Sequence, residues 1–313
     1  MKFRNIEIYN RENLTNEEYH SGANNKFLSG SYLHKLFSDC PAAAEYGEHK
    51  DSKALHFGTA THTAFLEPEE FEKEYYRIPC AEDYPDALPT DTAIKAFLKS
   101  LGVKGYTTKK GVELYSLVTQ CEPNKRCLAD IVTINTLENE GKEGLPAKTF
   151  DQVMLMRDTL LADPENTKLT SGHIEVSLFG EISLDDGETW NKVKVRLDML
   201  NEESQITDYK TTGDASPEEF GKSAHRFGYW LKMALQYDLS CAYIGTPLPM
   251  PILLAQSKNS PYIAQAYRMT QEQIEKGREQ YQSAIRVYNS CKENGFWAYG
   301  GGVMELQTPG WVK

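Results

Sequence analysis

The chain lacks the features that would mark a membrane, secreted or zinc-stabilised protein. No apolar run approaches the roughly 20 residues of a bilayer span, so no transmembrane helix is expected. The opening M-K-F-R-N-I-E-I-Y-N has no signal-peptide apolar core. The six cysteines (Cys40, Cys80, Cys121, Cys127, Cys241 and Cys291) are scattered, and no two form a CxxC pair. A structural zinc or a disulfide framework is therefore not expected, and reduced thiols in a cytoplasm are. There is no internal repeat and no low-complexity tract. Positive charge is also in deficit: 34 Lys and Arg stand against 45 Asp and Glu, a formal net charge of -11. That argues against a protein that coats nucleic acid through general basicity. It leaves open an enzyme that grips DNA locally, because acidic metal ligands and an acidic outer surface both lower the total. A length of 313 residues, 40% hydrophobic and 25% charged, suits one large globular domain or a domain with an inserted subdomain.

What is present concentrates between Glu175 and Lys210. Ile174 to Ile182 and Lys192 to Leu200 alternate apolar and polar side chains, and Asp185-Asp186-Gly187 lies between them as a turn. Asn201 to Ser204 reads as a second turn, and Gln205 to Tyr209 as a third short strand. On this reading Asp198 and Asp208 fall late in the second and third strands. Antiparallel neighbours would separate those ends, so the carboxylates converge only if the third strand bends or crosses. Lys210 follows Asp208 by two and shares its face. Two acids and a lysine so placed can hold a hard divalent cation and a polarised water.

Elsewhere the pattern alternates helices and strands. Phe3 to Tyr9 reads as a strand. Ser29-Gly30-Ser31 caps a helix stopped by Pro41. In A-L-H-F-G-T-A-T-H-T-A-F-L-E-P, small residues allow close helix packing, His62 and Leu66 share a face, and Pro68 ends the helix. Residues 76 to 150 read as an insertion, with a capped helix at T-D-T-A-I-K-A-F-L-K-S-L-G, a second helix beyond Lys104, Lys109 and Lys110, and loop from 130 to 145. That region is either a plain helical hairpin or a unit whose lysines face phosphates. Further helices are expected from Thr149 to Leu161, after Ser216-Pro217, from about Gly228 to Ile244, and from Thr270 to about Asn294. Two strands fall between 250 and 269.

The strings D-x(9)-D-Y-K, D-Y-K-T-T-G-D-A-S-P-E-E-F and F-G-x-x-x-H-x-x-x-L-E-P together resemble the RecE (exonuclease VIII) family of phage recombination nucleases, within the PD-(D/E)xK superfamily. The terminal G-F-W-A-Y-G-G-G and P-G-W segments are similar to that family as well. The resemblance implies an α/β fold: a restriction-endonuclease-like core with a central mixed sheet flanked by helices. One domain would span 1–313, with a helical subdomain inserted at 80–148. It implies that Asp198, Asp208, His62 and the Tyr209 carbonyl hold Mg2+ or Mn2+, and that Lys210 orients the attacking water. Glu175 is either an outer or second-metal ligand or a surface strand glutamate. The family's Y-x-x-Q-x-x-x-Y is altered here: aligned on Tyr229, Lys232 stands where glutamine is expected and Gln236 where tyrosine is, and either could fill the polar role. The implied activity is a 5′→3′ exonuclease on double-stranded DNA ends. It would leave 3′ single strands for a RecT-type annealing protein, acting as a homo-oligomeric ring of three or four subunits in a bacterial or phage-infected cytoplasm. The alternatives are a RecB-like or Cas4-like nuclease of other polarity, whose clustered iron–sulfur cysteines are missing here, and a non-catalytic DNA-binding protein on the same fold.

Overall fold

A computed structural model describes residues 1–48, 52–297, 303 and 305–308. Most of the family-like C-terminal segment, at 298–302, 304 and 309–313, lies outside the described residues. The chain opens with β1 (Lys2–Tyr9), α1 (Asn16–His20), β2 (Leu28–Ser29), α2 (Gly30–Ser38) and α3 (Pro41–Tyr46). Next come α4 (Lys53–Leu66), α5 (Pro68–Glu74), β3 (Tyr75–Ile78), α6 (Asp91–Ser100), α7 (Val112–Cys121), α8 (Leu128–Glu138), β4 (Glu143–Pro146) and α9 (Ala147–Leu161). The last part holds α10 (Pro164–Leu169), β5 (His173–Ser183), β6 (Asn191–Leu200), β7 (Ile206–Thr212), α11 (Pro217–Arg226), α12 (Tyr229–Ile244), β8 (Ile252–Ser257), β9 (Ala264–Arg268) and α13 (Gln271–Asn294). These elements gather into two units, one of Met1–Asp51 with Leu160–Lys313 and one of Ser52–Thr159.

The first unit is built on a mixed sheet in the order β1-β5-β6-β7-β8-β9, with β2 also beside β6. The β2–β6 and β7–β8 pairs are parallel and the rest antiparallel. Alternation explains the strands: Val176, Leu178, Val195 and Leu197 point into one core, where they meet Leu231, Leu235 and Ile285 of α12 and α13. A capping box of Thr270 and Gln273 starts α13, and left-handed Gly245 and Gly295 end α12 and α13. The two helices cross closely because Gly277 has no side chain: a Cβ there would stand 2.1 Å from the Trp230 carbonyl oxygen. They are also tied chemically. Arg278 donates twice to buried Asp238, at 2.8 and 2.7 Å, and the Tyr281 hydroxyl donates to the same carboxylate at 2.6 Å. The expected α/β fold, a central mixed sheet flanked by helices, is the one observed.

The second unit is mainly helical, with the short parallel pair β3–β4. Ala60, Ala64, Phe71, Leu145 and Val153 form one small core, and Ile94, Leu98, Leu114, Val118 and Cys127 another. Lys104, Lys109 and Lys110 fall on the connection between α6 and α7, with Lys104 and Lys110 exposed and Lys109 3.9 Å from Glu113. One expectation fails here. Residues 130–145 are not loop, because α8 runs to Glu138 and β4 starts at Glu143. The Thr- and Asn-rich sequence has weak helix propensity. Burial of Ile131 overrides it, and Thr133 and Thr136 turn their hydroxyls back onto the carbonyls four residues earlier.

Candidate active site

Two aspartates, a lysine and a fork in the sheet make the site. Strand β7 starts at Ile206, so Asp208 is its third residue rather than a late one. The β6–β7 ladder has two rungs, Leu200↔Ile206 and Met199↔Thr207. Continued by one, the same register would set Asp198 opposite Asp208. The carboxylates therefore converge without any crossing, and what is corrected is the expectation that Asp208 lies late in its strand. Beyond that point the strands part, and β7 pairs parallel with β8 from Thr207↔Ile252 onward. The Asp198 side chain fills the fork, its Oδ2 accepting the Tyr209 backbone N–H at 2.8 Å.

Both acids are buried, with Asp198 9% and Asp208 5% exposed. Lys210 spans them: its Nζ is 3.6 Å from Asp198 Oδ2, forms an ion pair with Asp208, and donates to the Tyr209 carbonyl at 3.0 Å. Burial first, and the neighbouring Asp198 second, push the Asp208 carboxyl above its usual range, with Lys210 opposing. Burial alone would push the Lys210 ammonium down, but Asp198 and Asp208 outweigh it and hold it well above its ordinary value. Two buried carboxylates against one contacting ammonium leave an anionic site. The donors available are carboxylate and carbonyl oxygens, and such a set fits a hard divalent cation.

Helix α12 supplies the other wall. The Lys210 and Lys232 Nζ atoms each lie 5.7 Å from the centroid of the Tyr229 ring. Lys232 is only partly exposed and makes no ion pair among the described residues. Burial, and then the Lys210 charge, lower it to about 8. Gly30 admits its stem, since a Cβ there would lie 3.1 Å from Lys232 Cγ. One turn on, Gln236 donates through Nε2 to the Arg196 carbonyl at 3.0 Å, and its buried Oε1 has no hydrogen-bond partner among the described residues. Lys232 thus faces the Asp208–Lys210 side, and Gln236 the strand that carries Asp198.

Glu175 is not a surface residue: it is 8% exposed and has φ +53, a left-handed value inside a strand. The β5–β6 register sets it opposite Asp198, between Ile174↔Met199 and Val176↔Leu197. Its carboxylate stands 3.5 Å from Arg196 Nη1. His62 lies on α4 of the second unit, partly exposed. The first unit by itself thus gathers Asp198, Asp208, Tyr209 and Lys210, with Lys232 beside them. Sequence reasoning used Tyr229 only as an alignment point and passed over Arg196. The alternating K-V-K-V-R-L-D that leads into Asp198 was the signal for Arg196.

Comparison with known proteins places the fold in a family. A crystal structure of a protein from Eubacterium rectale, named "Putative exonuclease", superposes with a TM-score of 0.54 at 16% sequence identity, over 95% of each chain. At that identity the likeness shows a shared fold. No curated protein matches the chain. The family model described as "PDDEXK-like domain of unknown function (DUF3799)" matches residues 29–307. With the sheet fork, its two aspartates and its lysine in place, the chain belongs to this PDDEXK-like family.

Proposed function

We propose that the protein is a divalent-metal-dependent deoxyribonuclease that digests double-stranded DNA from its ends. The observation that carries this reading is the facing pair Asp198 and Asp208, with one lysine in contact with both. Asp198, Asp208 and the Tyr209 carbonyl would hold Mg2+ or Mn2+, and His62 is assigned as a further ligand. An ion there supplies Lewis-acid polarisation of a phosphoryl oxygen and a more acidic bound water. Lys210 stays an ammonium at neutral pH, so it acts as a fixed positive charge and a donor to the incoming water or the phosphoryl oxygens, not as a base. Lys232 brings a second, less strongly held proton to the same side. Gln236 and Glu175 position the β6 strand, Gln236 through the Arg196 carbonyl and Glu175 through the Arg196 side chain.

In this reading digestion runs 5′→3′ and leaves 3′ single strands for a RecT-type annealing protein. An acidic chain repels duplex on average, so retention of DNA would come from a homo-oligomeric ring of three or four subunits with a locally basic lining. A linear duplex labelled at either its 5′ or its 3′ end, incubated with and without Mg2+, tests the central claim. Early Mg2+-dependent release of the 5′ label is expected. Early release of the 3′ label reverses the polarity, and the absence of metal-dependent cleavage eliminates the enzyme in favour of a DNA-binding protein.

The His62 assignment has its own check. His62→Ala should weaken Mn2+ binding in a calorimetric titration by at least about tenfold, with the thermal transition retained. Unchanged metal affinity together with a lowered transition temperature would make His62 a packing residue of α4.

A further inference from the structure

The first unit holds a cavity of about 660 Å³ whose charge runs against that of the whole protein. Lys26, Lys194, Lys292 and His20 line it, with Glu45 as the one carboxylate among the described residues that do. Glu45 is already engaged, accepting from the Tyr32 hydroxyl at 2.6 Å. In a chain of net charge -11, three lysines to one acid make a local exception. The contrast within the same unit is plain. The 640 Å³ cavity beside the β6–β7 turn mixes Lys168 and Arg268 with Glu165, Glu202 and Glu203.

The lysines are not used up by neighbours. Lys194 is 4% exposed and has no carboxylate against it among the described residues; its Nζ donates to the Tyr19 carbonyl at 2.6 Å and lies 4.4 Å from that ring's centroid. Lys26 makes no ion pair among the described residues. Lys292 makes none either, and sits over the rings of Tyr288 and Trp297 at 5.6 and 5.9 Å. A buried ammonium without an anionic partner is costly unless something negative reaches it. Phe27 and Tyr288 line the same cavity as these cations. Lysines interleaved with aromatic faces are the surface chemistry of nucleic-acid strands: charge for phosphates, rings for bases.

Position points the same way. Lys194 and Asp198 lie on one strand, four residues apart, a span of about 13 Å. That is on the order of four base pairs of duplex at about 3.4 Å rise. The rim residue Ser29 caps α2, and its neighbour Gly30 packs on Lys232 of the candidate active site. We infer that this cavity is a second, non-catalytic contact for the phosphates of a DNA strand engaged at Asp198 and Asp208. The inference rests on the nuclease reading for the identity of the strand, and on the cavity for the contact.

Binding without turnover separates the two. Anisotropy of a fluorescent DNA oligonucleotide is followed against salt concentration in chelator, for the full chain and for Lys26→Ala/Lys292→Ala. Both lysines are exposed, so their loss leaves the core intact. The log–log salt slope should fall by about two, by a similar amount for unrelated DNA sequences. Lys222→Ala/Lys276→Ala, which removes the same charge from exposed lysines outside the cavity, should leave the slope as it was. An unchanged slope in the first variant, or an equal fall in the second, overturns the proposal, whether or not Asp208→Asn abolishes hydrolysis. Oligonucleotides with and without a 5′-phosphate distinguish the source. An equal loss with both assigns the cavity to internal backbone phosphates, and a loss confined to the phosphorylated strand assigns it to a terminal phosphate. If Asp208→Asn still hydrolyses DNA at the parent rate, the active-site reading falls while the slope measurement still judges the cavity.

Discussion

Asp208→Asn should cut Mg2+-dependent hydrolysis of linear duplex at least ~10²-fold, the scale on which a preorganised electrostatic group is lost. The substitution keeps the size of the side chain and removes its charge. Lys210 would then face one carboxylate instead of two, and the site would lose half of its anionic donors. Because burial and Asp198 already disfavour the charged form of Asp208, the neutral amide should be tolerated by the fold. The thermal transition should therefore stay within a few degrees of the parent. Initial rates with an end-labelled duplex, beside a melting curve of the same preparation, check both halves. A variant that keeps near-parental rates would remove Asp208 from the chemistry.

The largest effect on stability is expected well away from that carboxylate. Asp238→Ala would strand a two-fold-bonded guanidinium and the hydroxyl of Tyr281, a residue with no exposed surface. Breaking a buried pair on one side costs about 3–5 kcal/mol. Arg278 keeps some solvent, its side chain being 26% exposed, so the lower end of that range applies, about 3 kcal/mol. At roughly 2–4 °C per kcal/mol for a unit of this size, the transition should drop by about 6–12 °C. A drop under about 2 °C would show that water replaces the carboxylate. Helix α12 carries Tyr229, Lys232 and Gln236, so loosening its tie to α13 should also lower nuclease activity near the transition temperature.

Much of this architecture is legible from the side chains alone. Alternation in I-E-V-S-L-F-G-E-I and K-V-K-V-R-L-D-M-L gives two strands to within a residue or so, because one face of each is buried. Capping residues give the starts of α2, α11 and α13: Ser29, Pro217 and Thr270 each stand where an unsatisfied N–H or a fixed φ makes them favourable. The helix from Leu128 was not legible. Its threonines and asparagines read as loop, and only tertiary burial of Ile131 decides the matter. The facing of Asp198 and Asp208 was legible in principle and misread. A reading that ends the third strand at Tyr209 makes Asp208 late, whereas a strand carried to Thr212 makes it early. The difference lies in T-T, two β-branched residues that extend the strand. Glu175 could not have been placed from sequence, because its left-handed backbone interrupts the regular alternation that the argument relies on.

The turn at 201–205 acts as a measuring device. Since the β6–β7 ladder has only two rungs, nothing further along the strands can restore the alignment of the aspartates if the turn changes length. The Asn201 side chain fixes that length by accepting the backbone N–H groups of Glu203 and Gln205, at 3.0 and 2.8 Å. One added residue would slide β7 by a step and send Asp208 to the opposite face of the sheet. The turn after β5 works under no such restriction, because nine rungs hold β5 to β6 whatever happens at 184–190. Relatives that share the chemistry should therefore vary freely in the first turn and keep nine residues between the two aspartates, and grafts or tags belong at Asp185–Glu188, never at Glu202.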